Sequence, residues 1–142
     1  MGKSRKQKQK QMIKIAVIED DQPIREMYLM KLKHAGYDAK GSEDGEKGLV
    51  LVKEFKPDLI LLDLRMPVMD GTEMLRRLRA EDWGKDMLVI VLTNVSADEA
   101  PMDLRLLRIE KYIVKAHYTP KQVMDIVAET LARYGKNLPA HR

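Results

Sequence analysis

The sequence predicts an α/β fold in which five short β-strands alternate with five helices to build one parallel sheet covered on both faces. The expectation rests on short β-branched apolar runs, on apolar residues at helical spacing between them, and on start and stop residues at the junctions. Met12–Ile18, Leu59–Asp63 and Met87–Thr93 are apolar apart from Lys14 and the polar residues that end the last two. A strand with one wet face alternates in polarity, so near-continuous apolar runs belong to strands buried on both sides. Short βα connections then imply right-handed crossovers between parallel strands.

The first run breaks at Glu19-Asp20-Asp21. Pro23 suits a first helical turn, where its fixed φ is already helical and its missing N–H has no partner to lose. Ile24, Met27, Tyr28, Leu32 and Ala35 recur at helical spacing up to Gly36, a natural stop. A short second strand over 38–41 precedes a second helix over 44–55, which Pro57 ends. The third strand is Leu59–Asp63, and Asp70 with Glu73 resembles a capping pair for a helix from Gly71 to Ala80. Met87–Thr93 is the fourth strand. Ser96 and Glu99 read as a capping box for a fourth helix reaching Arg108, with Pro101 near its first turn. Lys111–Val114 is the fifth strand. Thr119, Pro120 and Gln122 then start a last helix whose apolar face is Val123, Ile126, Val127 and Leu131.

At 142 residues the chain accommodates one domain with a core of ordinary size. Its expected organisation is a basic flexible tail over 1–11, a folded domain over 12–134 and a C-terminal tail over 135–142 too short to fold by itself. A hydrophobic content of 44% with 34% charged residues excludes disorder of the whole. The absence of Cys removes disulfides, thiolate nucleophiles and Cys-ligated metals, and fits a reducing compartment. No apolar run approaches the roughly 18 residues a membrane span needs, and the N-terminus lacks the apolar stretch of a signal peptide, so a cytoplasmic protein is expected. The net charge of +4 is unevenly placed. Residues 1–14 carry Lys3, Arg5, Lys6, Lys8, Lys10 and Lys14 without an acid, leaving a body with 20 basic and 22 acidic residues. Such a tail can touch nucleic acid or anionic lipid, but it has no aromatic or apolar interleaving, which favours a solvated arm.

Ligands of open α/β sheets bind outside the carboxyl ends of the strands, where strand order reverses. The residues that end the apolar runs should therefore meet at one rim: Glu19, Asp20 and Asp21 from the first strand, Asp63 from the third, Thr93 from the fourth and Lys115 from the fifth. Carboxylates this close raise one another's pKa unless a cation lies between them. An oxygen-rich cluster with room for water suits Mg²⁺. Asp63 is then a candidate nucleophile toward phosphorus, with Lys115 and the Thr93 hydroxyl placed for the charge on the transferring oxygens. Taken singly, each residue has a plainer role: Asp21 as a helix cap, Thr93 as a β-former, Lys115 as a solvated surface charge. Their joint order on successive strand ends is what points to chemistry.

The segments "IAVIEDD", "PDLILLDLRMPVMDG", "VIVLTN" and "YIVK" resemble the receiver domain of bacterial two-component response regulators, over residues 12–134. The resemblance implies a flavodoxin-like sheet of strand order 2-1-3-4-5 and Asp63 as phosphoacceptor. It implies Mg²⁺ held by Asp20, by Glu19 mainly through water, by Asp63 and by the backbone carbonyl of Arg65. Thr93 and Lys115 would contact the phosphoryl group, and Tyr112 matches the aromatic switch that turns inward as Thr93 is drawn to phosphate. The implied partners are a histidine kinase or phosphotransfer protein, and a downstream effector reading the surface of the fourth helix, fifth strand and fifth helix. A homodimer on activation is a further expectation. No DNA-binding module or membrane span is expected, and the implied chemistry is self-phosphorylation and self-hydrolysis, not turnover of a metabolite.

Three departures from the family pattern stand out. Ala116 follows Lys115 where the family has a proline with a cis bond; without proline that bond costs about 2.5–4 kcal/mol, so this loop is expected either to differ or to be held cis by its surroundings. "LRIEKY" replaces a small Gly-Ala step before strand five. Asn94 stands where a small residue usually follows the Thr, and its amide is expected to narrow access for water. A phosphatase of the haloacid-dehalogenase type is the competing enzyme class, but it needs a second Asp two residues after the nucleophile, where Arg65 stands. His34, His117 and His141 show no ligand spacing, and Leu29, Met30, Met102 and Leu106 are candidates for a partner-facing surface. Trp83 is expected at the end of the sheet away from Asp63.

Overall fold

The computed structural model describes residues 12–139. Five parallel strands, β1 (Lys14–Ile18), β2 (Asp38–Ser42), β3 (Leu59–Leu62), β4 (Leu88–Thr93) and β5 (Lys111–Val114), form one sheet in the order β2-β1-β3-β4-β5. The helices are α1 (Gln22–Ala35), α2 (Gly45–Phe55), α3 (Gly71–Arg79) and α4 (Pro120–Arg133). The expected flavodoxin-like topology is therefore the one observed. The basic tail over 1–11 lies outside the described residues.

The side-chain period of a strand divides the core into two layers. Ile15, Val17, Leu59, Leu61, Ile90 and Leu92 face one side and pack with Tyr28 and Leu32 of α1 and with Val123, Val127 and Leu131 of α4. Ala16, Ile18, Ile60, Leu62, Val89 and Val91 face the other side and meet Val52 of α2 and Met74, Leu75 and Leu78 of α3. Burial is complete along β3 and β4, the central apolar runs, while β5 at the edge is buried only at Ile113. This is why the central strands read as unbroken apolar sequence and the edge strands do not.

Caps set most helix starts. Asp21, Asp44, Asp70 and Thr119 each accept a backbone N–H of the first turn. Thr119 and Gln122 form a complete capping box. Glu73 does not return the cap of Asp70; its carboxylate pairs with Arg76 and Arg77 instead.

The fourth crossover corrects an expectation. The residues from Ser96 to Arg108 form two short 3₁₀ helices, Ala97–Glu99 and Met102–Leu107, in place of one α-helix, and the Ser96 side chain makes no cap bond. Pro101 is the cause. In an α-helix capped by Ser96, residue 101 would donate to the carbonyl of residue 97, but proline has no N–H and its ring crowds that carbonyl. Ala97 O is instead taken by Ala100 N at 3.3 Å, and Ala100 is extended, as a residue before proline prefers.

This irregular segment is pinned from α3. Arg76 forks onto both carboxylate oxygens of Asp103 at 2.6 and 3.1 Å. Arg79 donates to the carbonyls of Leu107 and Arg108 on one side and of Gly84, Lys85 and Met87 on the other. After α4, Gly135 takes a left-handed φ of 76°, Lys136 pairs with Asp58 at 3.1 Å, and Leu138 packs on the α1 side of the core. Trp83 lies with Pro57, Asp58 and Leu88 near the amino ends of β3 and β4, the pole opposite Asp63. No described helix is long and apolar enough to cross a membrane.

Candidate functional site

The site is assembled at the carboxyl ends of β1, β3, β4 and β5. Glu19 follows β1 directly and stays in register, its N–H donating to Ser42 O at 2.9 Å. Its side chain is buried, 4% exposed, and accepts the Asp21 N–H at 3.2 Å and the Lys115 ammonium at 2.5 Å. Asp20 is exposed at the rim, and Asp21 is occupied in capping α1 through Ile24 N at 3.1 Å. Asp63 follows β3, with its N–H on Ile18 O at 3.0 Å and its side chain 8% exposed. One carboxylate oxygen accepts Arg65 N at 3.4 Å and the other accepts Lys115 Nζ at 3.2 Å.

The break after Asp63 makes room for it. Gly71 lies against the Asp63 carbonyl so closely that a Cβ would overlap that oxygen, and its own N–H bonds Leu64 O at 2.9 Å. Within the loop Val68 holds a φ of +68°, unusual for a β-branched residue, with its side chain 77% exposed. Thr93 ends β4 fully buried, its hydroxyl accepting Val95 N at 3.3 Å. The carbonyl of the same Val95 accepts the Tyr112 hydroxyl at 2.6 Å, so one residue stands between the two expected to switch together. Lys115 opens a single 3₁₀ turn, Lys115–His117, and no peptide among the described residues is cis.

The cleft is lined by Glu19, Asp20, Asp63, Thr93 and Lys115, with Arg65, Asn94 and Glu99 at its edge. Every expected site residue except Tyr112 thus borders one space, and Tyr112 reaches it through Val95. One carboxylate oxygen from each of Glu19, Asp20 and Asp63 lies within 4.8 Å of the others.

The electrostatics are short of positive charge. Burial, with the neighbouring Asp63 charge, pushes the Glu19 carboxyl up to about 7 against the opposing pull of Lys115. Burial disfavours the Lys115 ammonium as well, yet its bond to Glu19 and the charges of Asp63 and Glu19 prevail and hold it above an ordinary lysine. Three converging carboxylates and one ammonium leave excess negative charge in a partly buried place. Hard oxygen donors with no imidazole or thiolate among them fit a hard divalent cation, and the cluster could hold a metal ion.

Two features escaped the sequence. Arg25 of α1 donates to the Glu19 backbone carbonyl at 2.7 Å, and Glu99 reaches the edge of the cleft from the first 3₁₀ helix. No local pattern marks either: the Arg25 contact, six residues from Glu19, depends on the angle at which α1 leaves β1, and the place of Glu99 depends on the 3₁₀ turn that stands where an α-helix was expected.

A parallel sheet that gathers acids, a buried hydroxyl and a lysine beside the β1/β3 switch point defines a doubly wound α/β domain with an acidic cleft at its strand ends. The chain belongs to the family of response regulator receiver domains, which matches residues 15–128. It is 31% identical over 121 residues to the phosphate regulon transcriptional regulatory protein PhoB of Pseudomonas aeruginosa, covering 85% of this chain and 52% of that protein. It is 34% identical over 125 residues to the DNA-binding response regulator MtrA of Mycolicibacterium paratuberculosis, covering 87% and 52%. The chain thus spans about half the length of these curated relatives. Among solved structures, the chemotaxis response regulator CheY4 of Vibrio cholerae superposes with a TM-score of 0.77 at 26% identity, covering 85% of this chain and all of that one.

Proposed function

We propose that this domain is a phosphoacceptor switch in which Asp63 receives a phosphoryl group from the phosphohistidine of a histidine kinase or phosphotransfer protein. An Asp63 carboxylate oxygen attacks phosphorus, the P–N bond breaks, and the imidazole nitrogen keeps the electron pair and takes a proton. Mg²⁺ would be held by Asp20, Asp63, the Arg65 carbonyl and, mainly through water, Glu19; when bound it neutralises charge on the transferring oxygens. The chain's own residues do the rest. Lys115 exchanges its bond to Asp63 for one to the phosphoryl group, and the Thr93 hydroxyl moves to another phosphoryl oxygen, giving up Val95 N. Tyr112 follows through the Val95 backbone.

The output is a changed surface around the 3₁₀ segment, β5 and α4, read by a downstream effector protein or by a second copy of the domain. The expected setting is the cytoplasm. The observation that carries the reading is the Lys115 ammonium bridging Glu19 and Asp63, which joins residues 96 and 52 positions apart. The test is mass measurement after incubation with acetyl phosphate, with and without Mg²⁺. A gain of about 80 Da, one phosphoryl group, in wild type with Mg²⁺ and none in Asp63→Asn supports it; labelling of Asp63→Asn to the wild-type level rejects it.

A further inference from the structure

We propose that Arg25 is a positioning residue for the metal site, holding the peptide between Glu19 and Asp20 so that both carboxylates face the cation. This rests on the phosphoacceptor reading for its purpose, but not for its test. The Glu19 N–H is engaged with Ser42 O, and the Glu19 carbonyl receives the Arg25 guanidinium at 2.7 Å. That carbonyl lies beyond the paired part of β1, whose register with β2 and β3 ends at Ile18. The guanidinium from α1 therefore does for this peptide what a neighbouring strand does for those before it.

A peptide unit is planar, so fixing its oxygen also fixes the following N–H and Cα. The consequence falls mainly on Asp20. The Glu19 side chain is held on its own account by Lys115 and Asp21 N, whereas Asp20 is exposed and takes its direction from its backbone. The route of the Arg25 stem is also provided for. It crosses Gly41 of β2, where a Cβ would come within 3.1 Å of the Arg25 Cδ and 3.0 Å of a Leu29 methyl.

Charge and geometry predict opposite signs here. A guanidinium near a cation site repels the cation, so if Arg25 acted only through charge, removing it would tighten Mg²⁺. If it positions the ligands, removing it weakens Mg²⁺. Partners of ligating groups typically change metal affinity by about 10–100-fold.

The experiment is calorimetric titration of the full chain with MgCl₂, comparing wild type with Arg25→Met and Arg25→Gln, each checked for folding by far-UV circular dichroism. Gln starts with the same stem, is too short to reach the carbonyl, and serves if the Met variant does not fold. The expected result is a Kd for Mg²⁺ raised about tenfold. The half-saturating Mg²⁺ for acetyl phosphate labelling should rise in parallel, with the rate at saturation within about twofold of wild type. A Kd unchanged within twofold, or tightened, overturns the proposal. A wild type that binds Mg²⁺ without becoming labelled overturns only the phosphoacceptor reading, and a wild type that takes up no Mg²⁺ overturns both.

Discussion

Replacing Arg79 with Met keeps the aliphatic stem and removes five donated bonds at once. The acceptors are the carbonyls of Leu107, Gly84, Lys85, Met87 and Arg108, at 2.8 to 3.1 Å. The Lys85 and Arg108 bonds are exposed, so water can replace them at little cost. Those to Leu107, Gly84 and Met87 are partly buried. A charge-assisted bond contributes about 1.5–3 kcal/mol net, and a buried carbonyl left unpaired costs a similar amount. Burial, and then the neighbouring Arg108, hold the Arg79 guanidinium below the ordinary arginine pKa, so part of the gain is spent on desolvation. Counting about 1 kcal/mol for each of the three half-buried acceptors gives a loss of about 3 kcal/mol.

With a urea dependence of about 1–3 kcal/mol per molar, the unfolding midpoint should fall by about 1–3 M. Far-UV circular dichroism measures this globally, and Trp83, in the loop that Arg79 grips, reports it locally. Arg79→Lys should fall between, because one ammonium has three donors and no planar fork. A loss below about 1 kcal/mol in Arg79→Met would show that the clamp does not hold the irregular crossover, and with it the stabilisation assigned to these bonds would fail.

Val68→Gly should raise stability by about 0.5–1 kcal/mol, since it relieves a left-handed β-branched residue whose side chain is exposed; an unchanged or lower urea midpoint would contradict the strain. Gly71→Ala should destabilise by about 2–3 kcal/mol and slow acetyl phosphate labelling, because the new methyl meets the Asp63 carbonyl; a variant as stable as wild type would show that the loop has slack. Glu19 has a folded-state pKa of about 7, above its ordinary 4.5, so its protonated form favours the metal-free fold. That contribution is complete below pH 4.5 and is lost as pH rises through 7. In EDTA, the stability of Glu19→Gln relative to wild type should therefore increase from pH 5 to pH 8, and a constant difference across that range would refute the assignment.

How much of this was legible before the fold depended on the range of each interaction. Strand and helix order could be read because periodicity and caps act over a few neighbours: Thr119 with Gln122 produced the box it suggested, and Leu59–Leu62 are buried throughout. Ser96 with Glu99 shows the limit of the same reasoning. The pair has the right spacing, but Pro101 excludes the α-helix two residues later, and the resulting segment is held by Arg76 and Arg79 from another element. The candidate site was legible as a set, since Glu19, Asp20, Asp63, Thr93 and Lys115 end or directly follow apolar runs. Arg25 was not, because an arginine on a helix says nothing about the carbonyl it will meet.

The residue types themselves determined that this chain makes a parallel α/β sheet and that acids, a threonine and a lysine lie at its strand ends. Only the tertiary structure decided the distances among them and hence the chemistry. Glu19 is protonated more readily than an ordinary acid because its burial beside Asp63 outweighs what Lys115 gives back, and that balance depends on three strands meeting at one rim. Desolvation and Coulomb energy vary with burial and separation, quantities that sequence order does not carry.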